Sequence, residues 1–140
     1  MNPQLALAWL KASYGDILVL EKIKDDELIT HMTSFHAQQS IEKSLKALLE
    51  YHSQKVPKKH DVLMLKDRVE KYLAIDNEDM LEDLNTLYID SQYPGDMGLL
   101  PSGKPTLKEA QKFTLFANQI FQEVSSLLNI KLEECTTPFE

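Results

Sequence analysis

Residues 35–61, FHAQQSIEKSLKALLEYHSQKVPKKHD, decide the fold. Gly and Pro are absent from residues 27–53, so this run predicts one long helix over those positions. Pro57 ends it, because proline has no N–H and pushes its predecessor out of the helical region. At about 100° per residue, Ala37, Ile41, Ser44 and Leu48 fall on one side. Leu45 and Leu49 lie toward a second side, which also holds Phe35, Gln39, Glu42 and Lys46. A helix that is apolar on more than one side is central in a bundle or shared with a second subunit.

The flanking sequence supplies the helices that pack around it. Asn2 and Pro3 start a first helix, as N-cap and first helical residue, that runs to about Lys22. Its stripe is Leu5, Ala8, Trp9, Ala12, Asp16 and Leu20, apolar except for one carboxylate. Asp25 or Asp26 caps the long helix. Asp61 caps a third helix over 62–72, through Leu65, Val69 and Tyr72. Asp76 or Asn77 caps a fourth over 78–90, with Leu81, Leu84, Leu87 and Tyr88 turned inward. Tyr93-Pro94-Gly95-Asp96 has the Pro and Gly of a type II turn and opens a long loop over 91–105. Thr106 and Glu109 form a capping box for a last helix that reaches Asn129 through Ala110, Phe113, Ala117, Ile120, Phe121, Val124 and Leu128. Internal repeats and strand-like alternation are both missing. The expectation is an all-α, up-and-down bundle of four to five helices over residues 1–130, with a loosely ordered tail over 131–140.

Composition narrows the function. The 140 residues fit one domain, and 43% hydrophobic with 26% charged residues is ordinary for a globular chain. A net charge of −7 speaks against binding nucleic acid through a general basic surface, although a local basic patch is compatible with it. No apolar run approaches the roughly 20 residues that cross a bilayer, and MNPQLALAWLKAS lacks the basic start and long apolar centre of a signal peptide. Cys135 is the single cysteine, so an intramolecular disulfide is excluded, and a cytoplasmic location is expected. His31, His36, His52 and His60 do not have metal-ligand spacing, and the four glycines do not make a phosphate-cradling loop. No GxSxG is present and no Cys lies near a His, so neither a metal, a cofactor nor nucleophilic hydrolase chemistry is expected.

Two polar groupings stand out. Gln39, Glu42 and Lys46 project from neighbouring turns of one helix face and could line a cleft, or form a plain i, i+4 pair with solvated neighbours. His60 beside Asp61 could act as an acid–base pair, or serve locally while Asp61 caps its helix.

FHAQQSIEKSLKALLEYH, then KKHDVLML, then YIDSQYPGD, together resemble the HEPN (higher eukaryote and prokaryote nucleotide-binding) domain pattern. That pattern is a Gln-x-x-Glu-Lys-x-Leu-Lys helix, a His-Asp-Leu turn and a Tyr-Pro loop. The resemblance implies a four- to five-helix bundle that commonly dimerises, alone or beside a minimal nucleotidyltransferase domain. Many such proteins are metal-independent ribonucleases with an Arg followed four to six residues later by His. Here Arg68 is the only arginine and every histidine precedes it, so that motif is missing and its phosphorane stabiliser and proton carrier go with it. Gln92 stands where relatives often place a basic residue before Tyr-Pro, and the Gly-Ser turn of the nucleotidyltransferase domain does not occur. The expected function is a non-catalytic, homodimeric HEPN-like module that binds a nucleotide-type ligand or a nucleotidyltransferase partner. Gln39, Glu42, Lys46, His60 and Tyr93 are the expected ligand-binding residues, with Lys46 meeting phosphate and Tyr93 closing the loop. A structural dimerisation protein and a divergent ribonuclease toxin are the alternatives.

Overall fold

The computed structural model describes residues 1–90 and 103–137. Its helices are α1 (Pro3–Ile23), α2 (Thr30–Tyr51), α3 (Val62–Val69), α4 (Glu78–Asp90), α5 (Leu107–Leu127) and α6 (Leu132–Cys135), with no strand among the described residues. α2 is the hub, packing against α1, α3, α4 and α5. The expected all-α bundle is therefore present. The predicted Tyr93-Pro94-Gly95-Asp96 turn lies outside the described residues.

Both apolar flanks of α2 are used within one chain. Ala37, Ile41, Leu45, Leu48 and Leu49 are all buried, and they join Leu65, Leu81, Leu84, Ile120 and Val124 in a single core. Each Leu, Ile or Val among them contributes roughly 1.5–3 kcal/mol by leaving water. The long helix starts three residues later than its sequence suggests. Asp26 accepts the Leu28 N–H at 3.0 Å and closes a 3-10 turn over Glu27–Ile29, which delays the α-helix to Thr30.

α1 lies against α2 on a face rotated from the expected one. Ala6, Leu10, Ser13, Asp16, Ile17 and Leu20 are its buried residues, whereas Leu5 is 47% exposed and Trp9 only half-buried. The expected stripe passes through Leu5 and Trp9, but the face that meets α2 is the one that carries Ser13. Ser13 Oγ lies 2.8 Å from both the Ser40 carbonyl and Ser44 Oγ, and 2.9 Å from Ser40 Oγ. Three small hydroxyls thus satisfy one another at the helix contact. The ends are tied as well, since the Asn2 N–H donates to the Tyr51 carbonyl at 3.1 Å.

Caps fix the remaining boundaries. Asn2 caps α1 and Asp61 caps α3, and the Thr106–Glu109 capping box opens α5 with bonds of 3.1 and 2.9 Å. The start of α5 is fastened to the start of α2 by Thr30 Oγ1 donating to the Pro105 carbonyl at 2.6 Å. α2 and α5 close with the same device. Ser53 and Asn129 take positive φ values of 55° and 54° just past the helix ends, and the next N–H groups, of Gln54 and Ile130, return 2.9 Å to the carbonyls of Leu49 and Ser125. α3 ends at Val69, short of the expected Tyr72, because the Tyr72 and Leu73 N–H groups both turn back on the Val69 carbonyl. Within the tail over 131–140, expected to be loosely ordered, α6 packs on α1 and buries Cys135 in the core. Burial, with Glu134 nearby, holds that thiol above its ordinary range, which disfavours the thiolate form. No helix among the described residues is long and apolar enough to cross a membrane.

Candidate functional site

The polar face of α2 is sunk into the bundle. Glu42 is 3% exposed and Lys46 4% exposed, values that for charged side chains require full pairing. Lys46 Nζ donates to Glu42 Oε2 at 2.9 Å, and Gln38 Nε2 donates to Oε1 at 3.2 Å. His60, arriving from the α2–α3 connection, brings Nδ1 to 3.0 and 3.1 Å from the two carboxylate oxygens. A carboxylate held by an ammonium and an amide can only accept, so His60 Nδ1 carries the hydrogen. Gln39 Nε2 extends the chain by donating to Gln38 Oε1 at 2.8 Å. Lys46 Nζ also lies 5.4 Å from the Trp9 ring centroid, and Trp9 Nε1 donates to Glu50 Oε2 at 3.2 Å.

α3 and α4 hold His60 in place. Asp61 Oδ1 accepts from the Met64 N–H at 3.1 Å and from Asn85 Nδ2 at 3.2 Å, while Asn85 Oδ1 accepts the Val62 N–H at 3.2 Å. One amide on α4 therefore clamps the start of α3, next to His60. The Tyr88 ring, also on α4, lies 5.0 Å from the His60 ring and 5.9 Å from Phe35, with which it stacks. Burial, and then the Glu42 charge, push the Tyr88 hydroxyl above its ordinary value. The row Phe35, Tyr88, His60 forms an aromatic wall that ends at solvent, where the His60 side chain is 50% exposed.

Of the five residues expected at the site, Gln39, Glu42, Lys46 and His60 meet in this one network. Tyr93 lies outside the described residues. Gln38 was missed, although it stands i, i+4 from Glu42 and continues the line to Lys46. Asn85 was missed because its partner is 24 residues away and nothing local marks it.

A second buried carboxylate lies elsewhere on the α1–α2 contact. Asp16 Oδ1 is 2.8 Å from His36 Nδ1, and Oδ2 is 2.8 Å from Lys43 Nζ. α2 thus takes part in two such centres, each a carboxylate between a histidine and a lysine. A crevice of about 350 Å³ between α1 and α5 contains none of these groups; Tyr14, Asn118, Phe121 and Ser125 are among its lining residues.

A family model described as the HEPN domain matches residues 8–127. The chain belongs to the HEPN family. No curated protein and no solved structure matches it significantly. The matched span runs from α1 to the end of α5 and includes the whole HEPN network around Glu42. Arg68, the only arginine of this HEPN chain, is exposed in the last turn of α3 and makes no ion pair among the described residues.

Proposed function

We propose that this HEPN chain is a non-catalytic module that binds a nucleotide-type ligand, or a nucleotidyltransferase partner, at the edge where His60 reaches solvent. The observation that carries the proposal is a buried Glu42–Lys46 pair that holds a half-exposed histidine from below. Such an arrangement presents one imidazole in a fixed orientation beside an aromatic wall. Glu42 and Lys46 act here as support. The Lys46 ammonium, to which the sequence lends a phosphate contact, is committed to Glu42 and Trp9. Gln39 and His60 are the members left for a ligand, joined in this proposal by Tyr93.

Calorimetric titration of the purified protein with ATP, AMP and adenosine tests this directly. Binding that disappears in His60→Ala, with the helical circular dichroism unchanged, is the expected outcome. Absence of heat with every nucleotide and with adenosine would remove the ligand.

The alternative of a structural homodimer draws on a different fact, that the buried Glu42 and Lys46 are paired without any ligand. Leu45 and Leu48 cannot test it, because both are buried within the chain. Leu28, in the 3-10 turn, and Met32, in the first turn of α2, are 76% and 40% exposed and are suitable. Conversion of a dimer to a monomer by Leu28→Glu in sedimentation velocity would favour the structural role. For the ribonuclease alternative, RNA is expected to stay intact on incubation with the protein without added metal.

A further inference from the structure

We propose that Lys58, Lys59 and His60 form the anchor for a phosphate monoester dianion, and that seating it takes up one proton onto His60 Nε2. This rests on the assignment of the His60 edge as the ligand site and names the part of the ligand held there.

The chemistry follows from how His60 is held. Its Nδ1–H is fixed on Glu42, so the neutral ring presents Nε2 outward as a bare acceptor, with no partner among the described residues. Phosphate oxygens are acceptors too, and two acceptors do not bond. A proton drawn from solvent onto Nε2 converts it into a charged donor, and Glu42 beneath stabilises the imidazolium that results. Lys58 and Lys59 precede it, exposed and without a hydrogen bond or ion pair among the described residues. Lys55 adds a third exposed cation in the same connection. The next acid, Asp61, is tied to Asn85 and to the helix it caps. Among the described residues, the other charged or titratable groups next to His60 are Glu42, Lys46 through Glu42, and Tyr88, whose ring lies against it. The anchor is thus a short cationic edge on a chain whose net charge is −7.

Calorimetry of the full chain with AMP, adenosine and pyrophosphate, at about pH 6 and about pH 8 and in buffers of differing ionisation enthalpy, tests the coupling. AMP is expected to bind about tenfold more tightly at the lower pH, and to take up close to one proton at about pH 8, where its phosphate is the dianion. His60→Asn keeps a donor where Nδ1 was and removes Nε2, so it should abolish the proton uptake. Lys58→Gln with Lys59→Gln should weaken AMP and flatten its salt dependence, leaving adenosine unchanged. AMP binding that is independent of pH and takes up no proton would overturn this inference while leaving nucleotide binding in place. Pyrophosphate binding with proton uptake, alongside no heat from adenosine and no gain for AMP, would uphold the anchor and remove the nucleotide. No heat from any of the three would overturn both.

Discussion

Glu42 is the residue on which the most groups depend. It receives Lys46, Gln38 and His60 while almost wholly removed from water. Removing one partner of a buried pair leaves the other charged and unpaired, which costs about 3–5 kcal/mol. Glu42→Ala is therefore expected to lower unfolding stability by about that amount in urea titrations. Glu42→Gln with Lys46→Met should recover much of the loss, because the surviving side chains are neutral. A double variant as unstable as Glu42→Ala would show that the site needs the charge pair itself. Part of this was visible in the sequence, where Gln39, Glu42 and Lys46 share a face. Burial was not, since an i, i+4 Glu–Lys pair reads the same on a solvated surface as in a core. Asp16 shows the same limit: it looked like an interruption of an apolar stripe, yet it anchors His36 and Lys43.

At the scale of elements, the helices that periodicity marks clearly are present where expected, and the departures occur where one side chain or one turn decides. α4 runs over Glu78–Asp90 as its pattern indicates, and all seven predicted inward residues of α5 and its cap are buried. α1 presents another face to α2, one on which Ser13 bonds to Ser40 and Ser44. α6 was invisible because four residues are too few to show a period. The junction of α3 with α4 hangs on Asn85, which returns two hydrogen bonds to the first turn of α3. Asn85→Ala is expected to destabilise the protein by roughly 1–2 kcal/mol. It should also accelerate amide hydrogen exchange at Val62 and Met64 more than in α5. Uniform acceleration across all helices would mean that Asn85 supports the whole bundle rather than this junction.

The whole molecule has a built-in response to acid. His52, at the end of α2, stacks on Tyr72 with ring centroids 3.7 Å apart, and burial, then the charges of Lys71 and the N-terminus, hold it below its ordinary value of 6.5. The unfolded chain consequently takes up this proton first as pH falls. The contribution is stabilising above pH 6.5 and is lost as pH drops through that value toward the lower folded one. His52→Phe, which keeps the stack but cannot titrate, should unfold with a shallower dependence on pH in that window. Parallel curves for the two proteins would show that His52 contributes nothing to it. Trp9 is the only tryptophan in the chain, and it lies under the Lys46 ammonium with its indole N–H on Glu50. An indole beside a cation emits according to where that cation sits. The protein therefore carries its own fluorophore on the far side of the Glu42–Lys46 pair from His60, and its emission wavelength registers, without any label, whether an event at His60 is transmitted through Glu42 to Lys46.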